Sequence, residues 1–307
     1  MAAVKLHGYF AGLLDSAVNI NDDRLRQLDD HVAAIEGCLR DDESLAPMIR
    51  RFVPQGSWAQ RTIIKPQPGH EFDGDVLVEM KRQRNWAGDP RQYLLALHDA
   101  LSAAGRYRSR VELKTRCVRV IYAGDCHVDL VPYVHTFGWF ERHEIVNRAA
   151  NRFEDVNPSG FTDWMRRQDQ LAAGNLRKTI RLLKYLRDNK QTFTVPSVIL
   201  TVVVGGRVSW WRSQLLDGYK DLPTAFTRLV TDTDRWLQER PDLPEISDPS
   251  CPDARFDHRL TQRGYGSFRN RFHGYAGQVR AAYDAEDRDE SVTLWRKVFG
   301  DQFAPAR

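Results

Sequence analysis

Two aspartates separated by one residue inside an apolar run restrict this chain more than any other feature. In Glu71-Phe-Asp-Gly-Asp-Val-Leu-Val78 they are Asp73 and Asp75. Side chains of a strand alternate between faces, so an extended segment sets the two carboxylates side by side and turns Phe72, Val76 and Val78 to the opposite, buried face. Neighbouring carboxylates repel unless a cation answers them, and a divalent metal is the natural partner. Alone, an Asp-x-Asp pair is more often a solvated strand end. A third acid strengthens the metal reading. In His127-Val-Asp-Leu-Val-Pro132, Asp129 is the lone acid of an apolar strand, where an unpaired charge is costly. A metal shared with Asp73 and Asp75 removes that cost.

Upstream, Gly56-Ser57 precedes a short helix expected over Trp58 to Thr62, and Ser57 stands 16 residues before Asp73. Glycine permits close backbone approach, and free amides with a serine hydroxyl can hold phosphate oxygens. The turn gains its meaning from its place ahead of the paired acids.

With 307 residues the chain has room for two domains of about 150 residues. Leu25, Leu28, Val32, Ile35 and Leu39 recur at helical spacing after Asn21 and predict a long amphipathic helix. From Phe52 to about Val134 short apolar runs alternate with Gly, Pro and Asp, with one helix over Pro90 to Ala104, which predicts an α+β segment. Val118 to Tyr122 and His127 to Val131 read as an antiparallel hairpin across residues 123–125. Helical periods then dominate over Phe161 to Ala173, Leu176 to Asn189, Pro223 to Glu239 and Phe256 to Phe303, with Pro241 to Pro252 as a loop. The β-branched run Val198 to Val204 fits either a strand or a buried helix.

Lys and Arg number 45 against 41 Asp and Glu, a net charge of +4. That is too mild to coat nucleic acid, so any basic site is local and stable nucleic-acid binding is not expected. No apolar run reaches the roughly 18 residues of a membrane span. The sequence Met1-Ala-Ala-Val-Lys-Leu-His7 lacks the pattern of a secretory signal. A cytoplasmic protein with no membrane partner is expected. Its four cysteines lack the Cys-x-x-Cys spacing of a zinc ribbon.

Gly56-Ser57, Asp73-x-Asp75 and Asp129, in that order, resemble the polymerase-β-type nucleotidyltransferase signature. Gly-Ser-Trp-Ala-Gln-Arg-Thr62, Phe72-Asp-Gly-Asp-Val76 and His127 to Pro132 are closer still to bacterial cGAS/DncV-like nucleotidyltransferases, the CD-NTases, whose ending is similar to Trp295-Arg-Lys-Val-Phe-Gly-Asp-Gln-Phe303. Many relatives carry an apolar residue where this chain has Gly74, a departure expected to loosen the strand. The resemblance implies an α+β, bilobed architecture. Residues 1–155 would form an N-terminal helix and a polymerase-β-like core, a mixed or antiparallel sheet with flanking helices, and residues 156–307 a helical lobe completing the nucleotide-binding cleft. It implies two Mg²⁺ ions, with Mn²⁺ as a substitute, held by Asp73, Asp75 and Asp129. The implied activity joins ATP, GTP or pyrimidine nucleoside triphosphates into a cyclic di- or trinucleotide with release of pyrophosphate. In CBASS antiphage defence such a product is read by a separate effector.

A triphosphate carries charge that two metals do not fully offset, so a basic surface is expected. Met165 to Lys190 holds eight bases, among which Arg177, Arg181 and Lys184 share one helix stripe. Lys184 also matches the lysine that similar enzymes set against the triphosphate. Arg166, Arg167, Arg187 and Lys190 read equally well as a solvated face. Arg106, Arg108, Arg110, Lys114 and Arg116 would share a strand face if extended. Trp210, Trp211, Tyr185 and Tyr219 could stack a base, although such aromatics are more often core. Two other functions fit the same fold: one keeps the chemistry but adds nucleotides to RNA, tRNA or a protein hydroxyl, as in toxin-like enzymes, and the other is a non-catalytic nucleotide sensor.

Overall fold

The computed structural model describes residues 5–67, 71–122, 126–136, 142–215 and 218–305. The chain divides into a unit of Ile20–Thr162 and a second unit that joins the segment through Asn19 to the residues from Asp163 onward. The boundary expected after residue 155 thus falls at Thr162. The N-terminal segment, with α1 (His7–Leu13) and a following π-helical turn at Leu14–Val18, belongs with the helical residues and not with the sheet.

In the unit Ile20–Thr162, α2 (Asp22–Arg40) starts where the Asn21 side chain accepts a hydrogen bond from the Arg24 amide, with Asp22 and Asp23 favoured in the first turn. Its stripe of Leu28, Val32, Ile35 and Leu39 is buried, as the spacing predicts. The chain continues through β1 (Ile49–Gln55), α3 (Gly56–Ala59), β2 (Phe72–Met80), α4 (Gln92–Ala103), β3 (Val111–Leu113), β4 (Val118–Ile121), β5 (Cys126–Thr136), β6 (Arg142–Asn147) and β7 (Arg152–Asp155). Among the described residues these strands form one sheet in the order β1-β2-β5-β4-β3, with β6 joining β5 and β7 joining β6. β2 and β5 run parallel and the other pairs antiparallel, the expected hairpin of β4 and β5 included.

The even-numbered residues Val76, Val78, Met80, Val118, Val120, Val128, Leu130 and Val134 pack in one core with the buried stripe of α2 and with Tyr93, Leu94, Leu97 and Leu101 of α4. One face of the sheet is therefore apolar and covered by helices, which sends the odd-numbered residues of β2, β4 and β5 to the other face.

Two expectations change here. The alternating bases of 106–116 do not share a strand, because turns occupy residues 105–110 and β3 spans only Val111–Leu113. Arg106 donates instead to the Ala34 carbonyl, Lys114 pairs with Glu112 and Arg116 with Glu154. Gly74 does not leave slack in β2. A Cβ built there would lie 2.6 Å from Leu28 Cδ1, so the missing side chain is what lets α2 seat Leu28 against the strand.

The helical unit contains α5 (Gly160–Leu171) from Asp163 onward, α6 (Leu176–Lys190), α7 (Ser197–Gly205), α8 (Trp210–Leu215), α9 (Leu222–Gln238), α10 (Gln262–Asp284) and α11 (Arg288–Phe299). A two-stranded ribbon, β8 (Ser247–Asp248) with β9 (Cys251–Arg255), occupies the end of the proline-rich stretch expected as loop. The ambiguous run is helical: Ile199, Leu200, Val203 and Val204 are all buried, and burial overrides the weak helix preference of β-branched residues. The Trp295 to Phe303 ending is structural. Trp295, Phe299 and Phe303 surround Phe10 of α1 at centroid distances of 4.9, 6.0 and 5.3 Å, so this ending fastens the N-terminal segment to the unit. Among the described residues no helix is long and apolar enough to cross a membrane.

The contact at Gly74 is open to test by thermal denaturation. Gly74→Val should destabilise the protein by about 1–3 kcal/mol through overpacking. Combining it with Leu28→Ala should give less than the sum of the two single losses, whereas strict additivity would show that the two positions do not compete for space.

Candidate active site

The candidate residues of the sheet are assembled by strand register. Asp73 and Asp75 lie on the face of β2 opposite the core, and Asp75 is directly across from Asp129 on the parallel neighbour β5. Asp73 is across from His127 in the same way. In a paired register, opposed residues point to the same face, so the three aspartates share one surface. The row through Asp75 extends over the sheet: Gln55 on β1, Asp75, Asp129, Arg119 on β4 and Glu112 on β3.

Gly56 closes onto this row. Its φ is +61°, and a Cβ built on it would fall 2.0 Å from Asp75 Oδ2. Only glycine tolerates both the left-handed backbone and this approach. Just before it, Gln55 Nε2 donates to the Pro158 carbonyl at 2.6 Å, which anchors the end of β1. Ser57 follows in α3, and its carbonyl accepts from the Thr62 amide.

Asp129 is 8% exposed, and its charge is answered within the protein. Arg119 Nε donates to Oδ1 and Nη2 to Oδ2, both at 2.8 Å, a two-pronged ion pair. The hydrogen bond to Asp129 raises the Arg119 pKa against the opposing effect of burial, with Asp73 contributing at longer range. The neighbouring Cys117 thiol is pushed up to about 12, first by burial and then by the charge of Asp129. His127 gives Nδ1 to Glu71 at 2.9 Å, while its Nε2 is buried without a hydrogen-bond partner among the described residues.

Three carboxylates on one face, one of them in a glycine-lined cradle, are the hard oxygen donors that magnesium takes, and their register fits such an ion. In the conformation described, Asp129 gives both oxygens to Arg119, and no three His, Cys, Asp or Glu side chains among the described residues converge to chelate a metal as they stand.

The candidate basic residues belong to the helical unit, where α6 carries all three. Asp169 receives the Arg177 amide on Oδ1 at 3.0 Å and the Arg177 guanidinium on Oδ2 at 2.7 Å, so Arg177 is committed to fixing the start of α6. One helical turn on, Arg181 is half-buried and its Nε is buried with no hydrogen-bond partner among the described residues. Burial lowers its pKa, with Asp169 acting in the other direction. Lys184, one turn further, is only 4% exposed. Of the aromatic candidates, Tyr185 and Tyr219 are core, whereas Trp210 and Trp211 are 53% and 65% exposed.

Arg119 is the participant that sequence reasoning missed. The signal was present: counting outward from the three residues between the hairpin strands sets Arg119 opposite Asp129.

The model of the Second Messenger Oligonucleotide or Dinucleotide Synthetase domain matches residues 4–169. The chain is similar to a c-di-GMP synthase of Roseivirga ehrenbergii, with 24% identity over 93% of this chain and 82% of that protein. It is also similar to a cyclic AMP-AMP-AMP synthase of Escherichia coli, with 23% identity over 88% and 87%. The Bradyrhizobium diazoefficiens CD-NTase CdnG, solved in complex with GTP, superposes with a TM-score of 0.74 at 20% identity, covering 98% of this chain and 96% of that one. Vibrio cholerae DncV cyclic AMP-GMP synthase, solved with a linear intermediate, gives 0.76 at 16% identity, covering 100% and 98%. The fold is therefore the nucleotidyltransferase architecture, a mixed sheet with flanking helices and a helical C-terminal region.

The contrast between two arginines of α6 predicts opposite stability effects. Arg177→Met removes the guanidinium from Asp169 Oδ2 and should cost about 1.5–3 kcal/mol. Arg181→Met removes a desolvated charge and should leave the ligand-free protein as stable or more stable. Thermal melts of the two variants check this, and equal losses would contradict it.

Proposed function

Because the chain belongs to the Second Messenger Oligonucleotide or Dinucleotide Synthetase family, we propose that it is a nucleotidyltransferase that joins nucleoside triphosphates into a cyclic di- or trinucleotide and releases pyrophosphate at each bond. The observation that carries this reading is the register of Asp75 with Asp129, which sets three carboxylates on one face beside Gly56. Asp73 and Asp75 would hold two Mg²⁺ ions, with Mn²⁺ as a substitute, and Asp129 would complete the site. When bound, the metal makes a ribose hydroxyl a better nucleophile and stabilises the departing pyrophosphate.

The protein's own part is positioning. The rigid parallel pair fixes the carboxylates before substrate arrives, and preorganised charge of this kind is a large share of phosphoryl-transfer catalysis. Gly56 lets the chain approach Asp75 closely, and the Ser57 hydroxyl and amide that follow it would meet a phosphate oxygen. Arg181 and Lys184 supply charge to the triphosphate. The desolvation of Arg181, with no ion pair among the described residues, favours this role over a plain solvated face, since a half-buried cation gains most from an anion that arrives with substrate.

The named products of the relatives, c-di-GMP, cyclic AMP-AMP-AMP and cyclic AMP-GMP, are all purine nucleotides, which favours ATP and GTP as substrates here. We further propose that the product serves as a signal read by a separate effector in CBASS antiphage defence, in line with a family named for second-messenger synthesis.

Purified protein incubated with all four triphosphates and Mg²⁺ or Mn²⁺ should yield a phosphatase-resistant small product, identified by mass spectrometry. Asp75→Asn should lower its formation by roughly 10²-fold or more. Transfer of nucleotide to added RNA or to protein, with no cyclic product, would contradict the cyclase reading. Equal behaviour of Asp75→Asn and wild type would contradict the assignment of the site.

A further inference from the structure

We propose that Arg119 is a resident counter-cation for Asp129, displaced when a divalent ion loads, so that the third carboxylate is latched until the metal arrives. This rests on the metal-site reading above and concerns what that site does while empty. Asp129 is nearly buried within an apolar strand, and a buried carboxylate requires a cationic partner. The guanidinium fork supplies one from the adjacent strand, in register, with one N–H on each oxygen. An incoming dication addresses the same two oxygens. It also carries charge of the same sign as Arg119, so the two cannot be held at full strength together.

The geometry offers Arg119 a second place to go. Glu112 is directly opposite Arg119 on β3, on the side away from Asp129. Its carboxylate is held below its ordinary pKa, first by the hydrogen bond from Lys114 and to a smaller degree by Arg119 itself. The row Asp129, Arg119, Glu112 thus has one fork-shaped cation between two carboxylates, one nearly buried and one solvated. Rotation of the Arg119 side chain from the first toward the second frees both oxygens of Asp129 and leaves the guanidinium facing an anion. Arg119 is in this account a positioning residue that acts through Asp129.

The test is Mn²⁺ binding to nucleotide-free protein, read as the loss of the free-ion signal in electron paramagnetic resonance, together with melting temperatures with and without saturating Mn²⁺. Arg119→Met should tighten Mn²⁺ binding by about fivefold or more. It should lower the melting temperature without Mn²⁺ and recover most of that loss when Mn²⁺ is added. Glu112→Gln, an exposed substitution that leaves the core untouched, should weaken Mn²⁺ binding because the displaced guanidinium loses its alternative. Arg119→Lys, which keeps the charge without the fork, should fall between wild type and Arg119→Met, and it serves if the methionine variant does not fold. Unchanged or weaker Mn²⁺ binding in the arginine variants, or a melting loss that Mn²⁺ does not repair, would overturn the latch and leave the metal site standing. If no Mn²⁺ binds to wild type or to any variant, the metal-site reading fails and the latch fails with it.

Discussion

The parallel pairing of β2 with β5 is the constraint on which the rest depends. Asp75 and Asp129 are distant in sequence and meet only because this pairing sets them in one register. A shift of one residue would turn Asp129 toward the helices and put Val128 or Leu130 in its place. What prevents the shift is hydrophobic: the even-numbered residues of β2, β4 and β5 are buried against α2 and α4, and any odd slip would send them to the polar face. The apolar core on one face thus fixes the placement of the acids on the other.

Placing carboxylates together in a strand is electrostatically unfavourable, and the local structure answers each charge differently. Asp75 is received by the open side of Gly56, and Asp129 by the fork of Arg119. The helical unit shows a related division of labour on α6. Asp169 neutralises Arg177 and fixes the helix start, while Arg181 one turn on is desolvated with no comparable partner among the described residues.

The placement of the candidate residues was largely legible in the sequence because it depends on local rules. The two-residue period gave the shared face of Asp73 and Asp75, the lone acid in an apolar strand gave Asp129, and Gly-Ser ahead of them gave the turn. The long helix starting at Asn21 followed from its cap and stripe. What escaped depends on contacts between distant segments. Nothing local in Gly74 reports that Leu28 fills its space, and nothing in the N-terminal residues reports that Phe10 is enclosed by Trp295, Phe299 and Phe303. The bases of 106–116 alternate as a strand would, yet turns run through residue 110 and the strand holds only Val111–Leu113. Val198 to Val204 has the composition of a strand and the burial of a core helix. Arg119 was within reach, since hairpin counting alone opposes it to Asp129.

The most direct test is crystallographic: the protein with a non-hydrolysable triphosphate and Mn²⁺, with the ions located by anomalous scattering. The account predicts ion density bridging Asp73 and Asp75, with a carboxylate oxygen of Asp129 at a coordination distance of about 2.0–2.2 Å and Arg119 turned away from it. Ions held without Asp129, or Asp129 still forked to Arg119 beside a loaded site, would contradict it.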